Sequence, residues 1–136
     1  MPRIFHVATL DGRVVGFQNV EPFASYTHAF DHLGVIGTYV DLELRRCEIG
    51  SRLFDATFDA AQRKGYAKLF AFVRSDNAAA LQTYVRWGFE TIGVAQRHAR
   101  LNDRHIDEVL IEAWIEDARS MALTAPVACK RCANPI

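Results

Sequence analysis

The chain has 136 residues with 16 basic and 16 acidic side chains, so its formal net charge is zero. That length suits one domain with a single core, and a neutral balance gives no bulk attraction to nucleic acid or to an anionic membrane. Half of the residues are apolar, as in ordinary globular proteins, and no run approaches the roughly 18 apolar residues that a bilayer span needs.

The N-terminus has no apolar run of signal-peptide length before Asp11 and Gly12 interrupt it, which predicts a cytoplasmic protein with no membrane partner. Its three cysteines, Cys47, Cys129 and Cys132, are an odd number and speak against a disulfide framework. Cys129 and Cys132 form a lone C-x-x-C near the terminus. A metal site would need two more ligands and a redox motif a strand-to-helix junction, so the pair reads as incidental and no metal is expected.

Two β-prone runs, Ile4 to Leu10 and Arg13 to Val20, flank Asp11-Gly12, a two-residue hairpin signal. Pro22 ends the second run, since proline cannot donate to a sheet ladder. Phe23 to Leu33 mixes polar and aromatic residues and predicts a loop or a short helix. Gly34 to Val40 reads as a buried strand. Ile49 to Lys64 carries Leu53, Phe54, Thr57, Phe58 and Ala61 on one helical stripe and stops at Gly65 after a basic last turn. Lys68 to Val73 is a further apolar strand, and strand, helix, strand at this spacing predicts a parallel pair. A second helix starts after Asp76 as N-cap and runs to Trp87 before Gly88. Phe89 to Arg100 and Ile106 to Ile115 then read as an antiparallel hairpin around Leu101-Asn102-Asp103-Arg104. The order β-β-β-α-β-α-β-β predicts an α/β (α+β) domain over 1–116, a mixed sheet with helices packed on it, and an irregular tail over 117–136.

Two segments carry chemistry. Val40 to Ser51 joins a buried strand to a helix whose first N–H groups are unpaired and partly positive, with Arg45 and Arg46 beside it. That suits a phosphate, although a solvated basic surface explains the same residues. Asn77 to Phe89 places Leu81, Tyr84 and Val85 on one helical face. Tyr84 reads either as a core aromatic with its hydroxyl at the rim or as a proton donor, since a phenol with a pKa near 10 can protonate a leaving thiolate.

Together these segments resemble the GNAT family of N-acetyltransferases. Arg45-Arg46-Cys47-Glu48-Ile49-Gly50 resembles the family loop Q/R-x-x-G-x-G/A. Asn77, Ala80, Tyr84, Gly88 and Phe89 match the later motif N-x-x-A-x-x-x-Y-x-x-x-G-F. The order and spacing agree, and the hairpin ending Asp103 to Glu108 is similar to that of small members acting on amino acids or related amines. The resemblance covers roughly Phe5 to Ile115. It implies acetyl-CoA as cosubstrate and a small-molecule primary amine, an amino acid or an amine-bearing antibiotic, as acceptor. It further implies that main-chain groups of Val40 and Leu42 pair with the pantetheine arm. The loop Arg45, Arg46, Cys47, Glu48, Ile49, Gly50 and Ser51 would hold the pyrophosphate. Asn77 would touch the cosubstrate near its middle, and Tyr84 would protonate the thiolate.

Glu48 stands where that loop carries its first glycine. A left-handed backbone there would add about 1 kcal/mol of strain, and a carboxylate about 6 Å from a phosphate charge costs roughly 1 to 3 kcal/mol. The fold also begins at the hairpin, without the strand and helices that usually precede it, so it reads as N-terminally shortened. That predicts an apolar sheet face covered by a partner chain in a homodimer. The alternative is a degenerate, catalytically weak domain acting as a binding or assembly module. No general base is singled out among Glu21, His28, Asp31 and His32.

Overall fold

A computed structural model of the protein describes residues 3–41, 43 and 48–117. Strands β1 (Ile4–Leu10) and β2 (Arg13–Pro22) form the predicted hairpin, with Leu10 opposite Arg13. Asp11 and Gly12 both take positive φ, 51° and 78°, as the tight turn requires. β2 runs two residues past Val20, because Pro22 closes the strand end opposite Gly34. A 3-10 turn, His28–Phe30, follows, capped by the Thr27 hydroxyl, which accepts from the Ala29 N–H.

Strand β3 (Leu33–Val40), helix α1 (Ile49–Arg63) and strand β4 (Lys68–Arg74) make the parallel unit, with Leu33 to Val35 paired to Lys68 to Phe70. Helix α2 (Ala78–Arg86) leads to the hairpin of β5 (Glu90–Leu101) and β6 (Arg104–Trp114). The six strands lie in the order β1-β2-β3-β4-β6-β5, so β6 inserts beside β4 and leaves β5 on the edge.

Both helices pack on the same face of this sheet. Phe54, Phe58 and Ala61 of α1 and Tyr84 of α2 share one core with Val20, Ile36, Leu69, Ala71, Val73 and Ile111. Phe54 stacks on Trp87 with ring centres 5.1 Å apart and meets Tyr84 edge-on, the packing that gives aromatic pairs their directional preference. The helices therefore do not flank the sheet on two sides. Among the described residues no α-helix covers the other face, where only Phe30 of the 3-10 turn reaches Phe23 and, through it, Phe70.

The predicted tail, with Cys129 and Cys132, falls outside the described residues from residue 118 onward. No described helix is long and apolar enough to cross a membrane.

Candidate active site

The sheet is two three-stranded halves joined over a short seam. β3 stays paired to β2 as far as Val40, and β4 stays paired to β6 as far as Arg74. The two halves pair with each other only from Leu33 to Val35, so beyond that point β3 and β4 diverge. Gly34 sits at the seam, where a Cβ would lie 2.6 Å from Val20 Cγ1 and 3.1 Å from Leu69 Cδ2. Only glycine fits there without displacing core side chains.

Among the described residues, the edge of β3 beyond Val35 has no strand paired to it on the β4 side. The Asp41 N–H donates to Val15 O and the Phe23 N–H to Leu33 O, so odd-numbered residues of β3 turn their main chain to β2. By the alternation of a strand, Thr38 and Val40 turn theirs to the opposite side, where β4 has moved away. An extended chain laid in this splay would find a strand edge to pair with. Val40, expected to pair with the pantetheine arm, is the last residue of β3 on this edge. Leu42, expected to act with it, lies outside the described residues, as do Arg45, Arg46 and Cys47.

Helix α1 begins beside the far end of the splay. Ile49 and Leu53 pack with Ala8, Val15 and the partly buried Val40, which holds the first turn against the end of β3. The Arg52 N–H donates to Glu48 O at 2.9 Å as the first helical bond, so the N–H groups of Ile49, Gly50 and Ser51 have no partner within the helix. A Cβ on Gly50 would meet nothing within 4 Å among the described residues.

Glu48 is the N-cap residue, with φ −68° and ψ 5°. The left-handed backbone that would have strained it does not arise. Its carboxylate makes no cap hydrogen bond and pairs with Arg52 Nε at 3.6 Å, one turn along the helix.

The predicted N-cap of α2 moves by one residue. Asn77, not Asp76, caps it, its Oδ1 accepting from the Ala80 N–H at 3.2 Å, while Asp76 binds Arg74 Nε at 3.2 Å. Asn77 thus has a structural role as the cap of α2.

Tyr84 is buried at 5% exposure. Phe54 and Phe89 hold its ring at centre distances of 5.5 and 5.0 Å. Its hydroxyl lies 2.9 Å from Thr38 Oγ1, on the strand edge that lines the splay. The ring is thus a core aromatic, and its hydroxyl reaches Thr38 on β3. Burial pushes its pKa up to about 12, against the pull of the Thr38 hydrogen bond. The phenol is a weaker acid than its ordinary value near 10 suggested.

Two residues at this site carried no expectation. Thr38 accepts from Gln18 Nε2 at 2.9 Å, and Gln18 is wholly buried. Their signal was positional: Thr38 falls in phase with the core-facing Gly34 and Ile36, and Gln18 with Gly16 and Val20. A polar residue on the buried phase of a strand is the exception that asks for a reason.

Of the candidate bases, His28 binds Asp31 through Nδ1 at 3.0 Å with its side chain fully exposed. Glu21 is exposed on β2, opposite Val35. No cluster of three metal-ligating side chains occurs among the described residues. A concavity of about 600 Å3 is lined by residues that include Gln62, Tyr66, Trp114 and Asp117. It lies at the other end of β4 from the splay, holds none of the site residues and borders the last described residue.

A sequence profile described as the acetyltransferase (GNAT) family matches residues 1–89, more than half of the chain. No curated protein matches. Among solved structures, the fold is similar to a ribosomal-protein-alanine N-acetyltransferase from Brucella melitensis, with TM-score 0.74 and 25% identity over 81% of this chain and 67% of that one. It is similar to a GNAT-family acetyltransferase from Streptococcus pneumoniae, with TM-score 0.74 and 25% identity over 82% and 66%. A phosphinothricin acetyltransferase from Sinorhizobium meliloti, solved in complex with acetyl-CoA, shares the fold with TM-score 0.73 and 20% identity over 81% and 60%. The chain thus spans about two thirds of the length of these structures. With the splayed strands, the helix start and the buried tyrosine in place, the chain belongs to the GNAT family of acetyltransferases, whose cosubstrate is acetyl-CoA.

Proposed function

We propose that this protein is a cytoplasmic N-acetyltransferase that moves the acetyl group of acetyl-CoA to a primary amine of a small molecule, an amino acid or an amine-bearing antibiotic. The observation that carries the reading is the Tyr84 hydroxyl standing at the splay, beside a strand edge that has no described strand paired to it on the β4 side. Val40 and Leu42 pair with the pantetheine arm. The stretch from Arg45 to Ser51 holds the pyrophosphate, and the amide of Asn77 contacts the chain between them. The amine attacks the thioester carbon directly, so no covalent enzyme intermediate is needed and positioning supplies much of the acceleration. Tyr84 stays protonated at neutral pH and donates to sulfur as the C–S bond breaks. Tyr39 and Phe72 stand exposed on the uncovered face of β3 and β4, the face from which the amine enters.

The same uncovered face favours a homodimer. Phe5, Phe17 and Tyr39 stack across three strands at 5.5 Å spacing, an apolar strip of the kind that a second copy would bury.

Calorimetric titration with acetyl-CoA is the test, followed by a screen of free amino acids and aminoglycosides for thiol release. Micromolar binding is expected, tightened less than about tenfold by Glu48→Gln because the carboxylate already has Arg52. Tyr84→Phe should keep the affinity and lower turnover by about 100-fold. Binding that appears only in Glu48→Gly would instead favour the degenerate, assembly-type domain. Absence of binding in both proteins would reject the reading.

A further inference from the structure

Gln18 is 0% exposed, and only half of its amide is satisfied. Nε2 donates to Thr38 Oγ1 at 2.9 Å, while Oε1 has no partner among the described residues. A buried amide oxygen without a partner is destabilising, and an apolar side chain of similar size would avoid that penalty. Packing therefore does not explain Gln18. What its satisfied end does is fix the Thr38 hydroxyl.

That hydroxyl has one hydrogen and two acceptor positions. With one acceptor position taken by the Gln18 amide, its hydrogen is free to point at the Tyr84 oxygen 2.9 Å away. The phenol hydrogen then has no call from Thr38. We infer that Gln18 and Thr38 are positioning residues that set the direction of one hydrogen-bond chain, Gln18 N–H to Thr38 O–H to Tyr84 O–H, so that the phenol presents its proton to the splay between β3 and β4. This rests on the reading of Tyr84 as donor to the leaving thiolate.

The direction matters for the chemistry. The C–S bond breaks with its electron pair on sulfur, sulfur takes the phenol hydrogen, and the phenolate is left behind in a buried place. The Thr38 hydrogen is then already aimed at the new charge. The proton released by the acetylated amine restores the phenol and balances the step. Burial makes the phenol a poor acid, and the Thr38 hydrogen bond is the influence that acts against it. A chain running the other way, with Tyr84 donating to Thr38 and Thr38 to Gln18 Oε1, would hold the proton inside the core.

The test replaces Tyr84 with 3,5-difluorotyrosine, whose phenol ionises low enough to titrate by absorbance in the folded protein. Thr38→Val is expected to raise that pKa by about one unit, because it removes the donor to the phenolate. Gln18→Met is expected to raise it as well, by a smaller amount, because it weakens the Thr38 donor. Thr38→Ser, which keeps the hydroxyl, should leave it near the parent value and shows that packing is not the cause. A fall in Gln18→Met would mean that the amide accepts from Thr38, and this overturns the inferred direction. No response to Thr38→Val overturns the chain altogether. A Tyr84→Phe enzyme with full turnover would instead reject the donor role of Tyr84, a separate result from the titration.

Discussion

The Tyr84 phenol, pushed up to about 12 by burial, makes the folded protein hold a proton that the unfolded chain, with an ordinary tyrosine at 10.0, has begun to lose. The folded pKa lies above the unfolded one, so the contribution to stability is whole below pH 10 and is lost as pH rises toward 12. Between pH 9 and 11 this single group should cost the folded state about 1.4 kcal/mol, one pKa unit's worth. Urea unfolding of the parent and of Tyr84→Phe at both pH values checks it. The parent should lose more stability over that interval by about this amount, and parallel losses would mean that the phenol is not buried as described. At this scale the sequence was legible where a motif names a residue, as at Tyr84, and illegible where the partner is distant in the chain. Thr38 is 46 residues from Tyr84, and Gln18 is 20 from Thr38. Glu48 needed the structure for a different reason: its cost turned on a backbone angle that residue identity does not fix.

Strands and helices follow from side-chain periodicity, and all eight predicted elements appear in order. Where two strands stop pairing does not follow from periodicity. β3 and β4 read as ordinary apolar strands, yet their pairing covers three residues of each, and the site exists because of that shortfall. Asp76 and Asn77 are both good caps, and the choice between them was made by Arg74, which takes the Asp76 carboxylate. The bulge in β5 was equally hidden. It sets 96–98 against Asp107, with Arg97 at φ 50° and its N–H donating to the Asp107 carboxylate at 2.8 Å. The seam itself can be tested at Gly34. Its backbone needs no special angle, so the only objection to Gly34→Ala is space: the new methyl would meet Val20, Leu69 and Tyr66 at 2.6 to 3.3 Å. Overpacking of this kind costs about 1 to 3 kcal/mol. Chemical denaturation should show that loss, whereas Gly50→Ala, with nothing within 4 Å among the described residues, should lose none and gain a little from helix propensity.

At the scale of the molecule, one face of the sheet carries both helices and the core, and the other carries aromatic side chains in the open. Phe5 is 65% exposed, Tyr39 55% and Phe72 46%. Single exposed apolar residues are common, but a continuous strip across neighbouring strands is not. Two such faces meeting about 10 Å apart, as packed sheets do, would bury the strip and protect the β1 edge from promiscuous pairing. Small-angle scattering at rising protein concentration is expected to show a dimer. The pair Phe5→Asp and Phe17→Asp should return it to a monomer with little change in thermal stability, because these side chains stand outside the core. Phe17 stacks on Tyr39, but neither substituted residue is assigned to the cosubstrate, so acetyl-CoA affinity should be kept. A parent protein that stays monomeric at high concentration would remove the dimer, and the face would then serve the incoming amine alone. If the double variant also lost the fold, Phe5 and Phe17 would have to be contributing to the monomer core, against their exposure.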